Sequence, residues 1–305
     1  MIRKAAFAAL LLFCLTPWCS PPLALALGLV LGLTIGNPFA GSTSKPTRLL
    51  LQASVVGLGF GMNLGTVIAA GRSGFLFTVA TIAGTLILGF FLGRMLGMSA
   101  GTTHLVSSGT AICGGSAIAA VGPVIGASDE EMSVSLGTVF ILNAIALFLF
   151  PAIGTALGLT QQQFGIWSAI AIHDTSSVVG AASAYGREAL EIATTVKLTR
   201  ALWIIPLTIG TALAWHSRTR RLAIPWFIFF FVLASIARTY VPAPLEMWEV
   251  LVRIARTGLT VTLFLIGVSL TRKSIANVGI RPLILGVALW VAISAAGLWA
   301  VMSTT

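Results

Sequence analysis

The 305-residue chain consists of long apolar segments separated by short connections that hold most of its charged residues. Only 9% of its residues are charged, against about 25% in a typical soluble globular protein. A soluble chain of this length could not bury so much apolar surface in one core. Because about 20 consecutive apolar residues let a helix cross a bilayer, the sequence predicts an all-α integral membrane protein whose main partner is lipid.

Eleven apolar segments are candidate membrane-spanning helices. Their centres lie near residues 11, 29, 58, 83, 114, 141, 173, 203, 231, 260 and 292. The first segment is short and follows Arg3 and Lys4, so a signal-peptide-like segment is the alternative there, although no small-residue cleavage site follows it directly. No connection is long enough for a soluble domain. We therefore expect one polytopic domain, residues 1–305, with about 10–11 transmembrane helices.

The positions of the basic residues predict the orientation of the chain. If successive segments cross in alternate directions, the N-terminal side receives Arg3, Lys4, Lys45, Arg48, Arg94, Arg218, Arg220, Arg221, Arg272, Lys273 and Arg281. The other side receives Arg72, Arg187, Lys197, Arg200, Arg238, Arg253 and Arg256. Cytoplasmic loops are enriched in Lys and Arg, so we expect a cytoplasmic N-terminus. Charges spread in this way do not indicate a nucleic-acid partner.

A weak internal repeat relates the third and tenth segments. Residues 57–64, GLGFGMNL, resemble residues 263–270, LFLIGVSL. Under alternating crossings the two copies run in opposite directions, as in the inverted repeats of secondary transporters. The repeats would then cover approximately residues 45–150 and 163–303. A chance match between glycine-containing apolar segments is the alternative.

The fifth segment contains a pair of glycines near its centre. Gly114 and Gly115 are flanked by the hydroxyl residues Thr110 and Ser116. Each glycine weakens a helix by roughly 1 kcal/mol relative to alanine, so we expect the helix to be broken here. The alternative is close packing between helices through small residues.

The seventh segment carries the polar sequence His173-Asp174-Thr175-Ser176-Ser177 at its centre. A charged Asp at a helix centre costs about 3 kcal/mol on insertion scales, and such residues are tolerated when they face protein partners or a wet cavity. Short oxygen-bearing side chains also cap helix N-termini. A second break is therefore expected, and an Asp174 that merely caps a half-helix is the alternative.

Two breaks of this kind suggest an anion site, because a helix N-terminus offers free N–H groups and a partial positive charge. The predicted substrate-binding residues are Thr110, Gly114, Gly115, Ser116, His173, Asp174, Thr175, Ser176 and Ser177. His173 and Asp174 are also the candidates for proton or ion coupling. Lys197 and Arg200 would add positive charge, unless they snorkel to the membrane interface. Asn63 and Asn143 are expected to be interhelical hydrogen-bond partners.

Three motifs carry a family resemblance. They are GTAICGGSAIAA at 109–120, AIHDTSSVVGAA at 171–182 and VKLTRALWIIP at 196–206. In this order and spacing they resemble the bacterial YeiH-like family, to which sulfate export is attributed by inference. The resemblance covers nearly the whole chain and implies an inner-membrane location. It also implies kinship with the clan of Na⁺/H⁺ antiporters and bile-acid symporters, whose inverted repeats place paired broken helices across the substrate site.

The two breaks lie closer together in the sequence than the crossing pair of that clan usually does. Either one motif is a re-entrant or flanking element, or one break pairs with the tenth segment near Gly267. The sequence leaves both arrangements open.

These features predict a secondary active transporter that exports a small anion, such as sulfate or a related sulfur oxyanion, by alternating access. An H⁺ or Na⁺ gradient would drive it. The chain has no ATP-binding P-loop, so primary transport would need a partner chain. No cofactor or metal is expected, and the sequence is compatible with a homo-oligomer.

Two other functions compete with this prediction. A cation/proton antiporter would use Asp174 as its ion-binding carboxylate. An intramembrane hydrolase would pair Ser116 or Ser177 with His104 or His173, but the chain lacks a G-x-S-x-G elbow. We therefore expect no enzymatic activity.

Overall fold

A computed structural model describes residues 2–39, 44–65, 75–215, 226–269, 271 and 278–304, which form helices and turns without any strand. The helices are α1 Ile2–Cys14, α2 Pro21–Thr34, α3 Ser44–Gly59, α4 Phe75–Met95, α5 Ala100–Ala111, α6 Gly115–Ile125, α7 Asp129–Ala156, α8 Gln161–Ala171, α9 Thr175–Tyr185, α10 Arg187–Ala201, α11 Ile204–Ala214, α12 Trp226–Tyr240, α13 Leu245–Ser269 and α14 Ile280–Thr304. The all-α prediction is confirmed.

Five segments of the described chain are long and apolar enough to cross a membrane. They are Phe77–Met95, Glu130–Ala156, Arg187–Ala214, Leu245–Ser269 and Ile280–Ser303. Several shorter apolar helices pack beside them, so the molecule is a multi-pass membrane protein.

The described helices form two groups. The first group contains α1, α2, α3, α12 and α13, and the second contains α4 to α11 together with α14. The main contacts between the groups are those of α9 with α2 and α13 and those of α2 with α7. This division leaves a cleft between α10 of the second group and α13 of the first.

Helices α5 and α6 form a hairpin that enters and leaves the bundle at one end. The Ser99 side chain caps α5, and its hydroxyl donates to Oε1 of Glu131 over 2.7 Å. Glu131 lies in the first turn of α7, which begins shortly after α6 ends at Ile125. The start of α5 and the end of α6 therefore share one end of the bundle, hereafter the first end. Gly109 and Gly114 both pack against Val139, near the middle of α7.

Helices α8 and α9 form a second hairpin from the opposite end. Tyr185, the last residue of α9, donates from its hydroxyl to the Leu159 carbonyl over 2.6 Å. Its ring stacks on Phe164, near the start of α8, with 3.8 Å between the ring centroids. Both arms therefore begin and end where α7 ends, hereafter the second end. The tip reaches Asn143, again near the middle of α7.

The structure refines the predicted arrangement of the fifth and seventh segments. Both are broken where the sequence indicates, but both turn back instead of crossing, whereas the re-entrant alternative applied to one of the two motifs. Their four arms contain 12, 11, 11 and 11 residues, about half of the roughly 20 that a span requires. As a result, α7 runs opposite to the direction that strict alternation assigns. The connections on either side of α7 contain no Lys or Arg. The number of basic residues assigned to each side of the membrane is therefore unchanged.

The chain termini lie at opposite ends of the bundle. Phe7 in α1 packs against Phe264, close to where α13 ends. Arg281, at the start of α14, lies beside Gly97 at the first end, so α14 finishes at the second end. Of the basic residues used for orientation, Arg72, Arg218, Arg220, Arg221, Arg272 and Lys273 lie outside the described residues, as do the side chains of Lys45 and Arg48. The cytoplasmic assignment of the N-terminus stays a prediction.

Gly267 does not form a third break. Helix α13 continues through it, and the residue packs against Gly28 of α2 so closely that a side chain on either would strike the other helix. Helices α3 and α13 pack against each other and run in opposite directions, since Ser54 contacts Gly258 and Gly61 contacts Val252. That relation is compatible with an inverted repeat, which stays a prediction.

Candidate functional site

The tips of the two hairpins touch at mid-depth in the bundle. Gly114 joins α5 to α6 with φ 62° and ψ −124°, a region that side chains rarely adopt. Its N–H donates to the Gly109 carbonyl over 2.8 Å, which closes the turn. An ideal Cβ at Gly114 would lie 3.2 Å from the Cβ of Asp174 and 3.4 Å from the carbonyl carbon of His173. Gly114 therefore lets one tip approach the backbone of the other, whereas Gly115 packs against Phe140 and Leu136 of α7.

Asp174 begins the second arm of the other hairpin. Its Oδ1 accepts from the Ser177 N–H over 2.6 Å and caps α9, which is the role that the sequence offers as the alternative for Asp174. The preceding residue, His173, donates its backbone N–H to Oδ1 of Asn143 over 3.1 Å. Asn143 is thus the interhelical partner that was predicted, whereas Asn63 is exposed and accepts locally from the Gly65 N–H over 2.7 Å.

Lys197 of α10 binds both tips. Its side chain is completely buried, and Nζ donates to the carbonyls of Ile112 over 2.9 Å, Ile172 over 2.7 Å and Ala169 over 3.3 Å. An ammonium has three donors, and all three are used. Ile112 follows α5, while Ala169 and Ile172 end α8, so one cation holds the C-terminal ends of the first arms of both hairpins.

Arg200, one turn further along α10, binds the same region. Its side chain is 1% exposed, and the guanidinium donates to the Ala111 carbonyl over 2.7 Å and to Oγ1 of Thr81 over 3.1 Å. The alternative in which Lys197 and Arg200 snorkel to the interface is therefore wrong. Carbonyl groups at helix C-termini carry partial negative charge, which compensates two cations buried at this depth.

The arrangement separates the opposite ends of the half-helices. The negative ends of α5 and α8 are occupied by Lys197 and Arg200, whereas the positive ends of α6 and α9 begin at Gly115 and Thr175. The first N–H groups of a helix have no intrahelical acceptor. Asp174 satisfies one of these donors in α9 and has no ion pair within the described part of the chain. The tips therefore combine two cations with one carboxylate.

Several buried polar atoms around the tips have no hydrogen-bond partner among the described residues. They are Oγ of Ser108, Oγ1 of Thr110, Nδ2 of Asn143, both ring nitrogens of His173, Nε of Arg200 and Nε1 of Trp290. The Trp290 and His173 rings lie 6.4 Å apart. Buried polar groups are nearly always hydrogen-bonded, so these atoms are candidate contacts for water or a polar ligand. Most of these atoms are donors, which suits an anion.

Most of the predicted site residues are brought together. Thr110, Gly114, His173, Asp174, Thr175, Ser176 and Ser177 are buried at or beside the tips, whereas Gly115 is partly exposed and Ser116 is exposed. Trp290 and Ser108 were missed, since neither stands out from other apolar or small residues in its segment. His104 instead hydrogen-bonds Thr211 over 2.9 Å, and no Ser–His hydrogen bond occurs in the described ranges.

Comparison with known proteins gives one family. The family model described as Conserved hypothetical protein 698 matches residues 6–286. A UPF0324 membrane protein of Bacteroides thetaiotaomicron is 57% identical over 91% of the chain and 84% of the relative. One of Porphyromonas gingivalis is 54% identical over 93% of the chain and 87% of the relative. One of Shewanella oneidensis is 47% identical over 97% of the chain and 94% of the relative. No solved structure matches the chain.

Proposed function

We propose that this chain, which belongs to the family described as Conserved hypothetical protein 698, is a secondary transporter that binds a small oxyanion between its two hairpin tips. Sulfate or a related sulfur oxyanion is the proposed substrate class, and export is the proposed direction. An H⁺ or Na⁺ gradient would supply the energy. A bacterial inner membrane with a cytoplasmic N-terminus is the proposed setting.

The observation that carries this proposal is the distribution of charge at the tips. Lys197 and Arg200 hold the negative ends of α5 and α8, and the positive ends of α6 and α9 meet beside them. Free N–H groups of this kind bind oxyanions without a metal. The unpartnered donors of His173 and Asn143 lie at the same depth and would add hydrogen bonds. Two buried cations against one carboxylate favour an anion over a cation.

The hairpins also suggest how access would alternate. One enters from the first end and the other from the second, so each separates the tips from a different end of the bundle. The helices form two groups with limited contact between them. A relative movement of the groups would expose the tips to one end at a time, which is the usual mechanism of transporters with mid-bilayer sites.

A cation/proton antiporter is the second candidate, and Asp174 supports it. A carboxylate at mid-depth without an ion pair among the described residues is an expected cation or proton site. His173 and Asp174 would then carry the coupled protons. The same carboxylate serves the anion transporter as its coupling group, so flux measurements must separate the two functions.

Radiolabelled sulfate flux into proteoliposomes under imposed pH and Na⁺ gradients tests the proposal. We expect saturable uptake that sulfite, taurine or isethionate reduces by competition. Ser176→Leu should lower uptake at least tenfold, because Ser176 is buried at the tip, whereas Ser303→Leu on the exposed C-terminal turn should not. Equal uptake by the two variants would contradict the site. Gradient-driven Na⁺ or H⁺ exchange that is independent of every anion would favour the antiporter.

A further inference from the structure

A cleft of about 290 Å³ lies between the two groups of helices at the second end. Small-molecule sites typically begin at about 300 Å³, so it can hold a small ligand. One wall is a stripe of α10 from Arg187 to Thr194, and the other is a stripe of α13 from Leu245 to Arg256. The turn after α3 supplies Phe60, which stacks on Trp248 with 5.5 Å between ring centroids.

The cleft is rich in arginine. Its lining includes Arg187, Arg238, Arg253 and Arg256, against the two carboxylates of Glu191 and Glu249. Arg187 is paired with Glu191 over 3.3 Å. Within the described ranges the other three arginines have no ion pair, which leaves three guanidinium groups around one small cavity.

Arg253 and Arg256 lie beyond the first two turns of α13. They lie 8 and 11 residues after Leu245, the first residue of α13, which places them about 12 and 16 Å along the helix axis. Charged residues within a spanning helix usually face a water-filled cavity or a ligand path, and both arginines line this cleft. An anion in the cleft would offset their charge.

The cleft leads toward the hairpin tips. Thr194 lines its inner part and lies one turn before Lys197 on α10. Met62 also lines it, and its Sδ accepts a hydrogen bond from the Thr195 hydroxyl over 3.5 Å. Residues three apart on a helix share a face, so a ligand at the base of the cleft would lie about one turn from the residue that binds both tips.

We propose that this cleft is a second anion-binding site, separate from the hairpin tips, in which Arg238, Arg253 and Arg256 bind the oxygens of a sulfate, sulfonate or phosphate group. Guanidinium forks match the geometry of such oxyanions. Phe60, Met62 and Trp248 would contact an apolar substituent, so a sulfonate with a short organic group fits better than bare sulfate. Anion binding in the cleft does not depend on transport through the tips. The same chemistry would also accept a lipid phosphate.

Protection of an engineered cysteine tests the site. Leu245→Cys, on the cleft wall, is introduced into the full-length protein with Cys14, Cys19 and Cys113 replaced by alanine, and reconstituted in phosphatidylcholine nanodiscs. The rate at which a thiosulfonate reagent labels this cysteine is measured at increasing concentrations of ethanesulfonate or of sodium sulfate, at constant ionic strength. We expect saturable slowing of at least fivefold, with ethanesulfonate acting at the lower concentration. Leu157→Cys, exposed at the same end but outside the cleft, should not be protected.

Arginine variants separate anion binding from a general salt effect. Arg253→Gln and Arg256→Gln should each remove protection, Arg253→Lys should keep part of it, and Arg94→Gln at the first end should change nothing. A single size-exclusion peak for each variant shows that it has folded. Ser176→Leu should leave protection intact, which distinguishes this cleft from the tips even if transport fails.

A comparison of the two lipids identifies the source of the anion. Slow labelling in phosphatidylglycerol nanodiscs without added anion, relieved by Arg253→Gln, would assign the site to a lipid headgroup. Protection by ethanesulfonate in neutral lipid would assign it to a free anion. No protection in either lipid, protection that survives both arginine variants, or protection lost with Ser176→Leu would overturn the proposal.

Discussion

Gly114 and Asp174 are in contact although they belong to hairpins that enter the bundle from opposite ends. An ideal Cβ at Gly114 would lie 3.2 Å from the Cβ of Asp174 and 3.1 Å from Cγ1 of Val139. The contact joins the start of α6 to the start of α9, so two helix N-termini meet near the middle of α7. Any residue other than glycine must alter both the turn and this contact.

Gly114→Ala should destabilise the protein and reduce transport. Its φ of 62° with ψ of −124° strains an L-residue, and such strain costs about 1–3 kcal/mol. The new methyl group would also press on Asp174 and Val139. Thermal unfolding in detergent should show a lower midpoint for this variant.

Gly84→Ala is the matched control for that substitution. Gly84 lies within α4, and a Cβ there meets nothing within 4 Å. Because alanine favours helix by up to about 1 kcal/mol over glycine, the control should be unchanged or slightly more stable. Equal destabilisation of both variants would show that the tip contact has no special role.

Lys197→Met should be among the most destabilising single substitutions. It removes the donor for the carbonyls of Ile112, Ala169 and Ile172, all of them buried. Each unsatisfied buried group costs about 1–3 kcal/mol, so we expect a loss of roughly 3 kcal/mol or more. Thermal unfolding and yield after solubilisation measure it. Lys4→Met, at an exposed lysine, should have no comparable effect.

Much of the site could be predicted from local sequence. The Gly114-Gly115 pair and the polar run from His173 to Ser177 each mark a helix break, because glycine strain and N-capping are local properties. The structure confirms both breaks, and the family match confirms the resemblance carried by the surrounding motifs.

The path of the chain between the breaks could not be predicted in the same way. A broken span and a re-entrant hairpin have the same apolar pattern, since both present two half-length helices to lipid and protein. The reversal is revealed by contacts distant in sequence, such as those of Ser99 with Glu131 and of Tyr185 with Leu159. The burial of Lys197 depends equally on carbonyls from two other segments. The substrate, coupling ion and oligomeric state stay predictions.

Asp174 variants should separate the capping role of the residue from its charge. Asparagine caps helices as well as aspartate does, whereas alanine costs about 1 kcal/mol at this position. Asp174→Asn should therefore unfold near the wild-type temperature and Asp174→Ala below it. If the protein is an anion transporter, Asp174→Asn should still exchange sulfate at equilibrium but lose its response to the pH gradient. The antiporter would be supported if Asp174→Asn lost all transport and the wild-type protein exchanged ions independently of sulfate.

The re-entrant hairpins predict an unusual pattern of cysteine accessibility. Ala100 and Glu130 are exposed residues on either side of the first hairpin, and Leu157 and Glu188 flank the second. In a cysteine-free background, Ala100→Cys and Glu130→Cys should react with a membrane-impermeant maleimide from one side of the membrane, because both lie at the first end. Leu157→Cys and Glu188→Cys should react only from the other side. Two broken spans would instead place the members of each pair on opposite sides, and the distance from Ser99 to Glu131 makes that outcome incompatible with this fold.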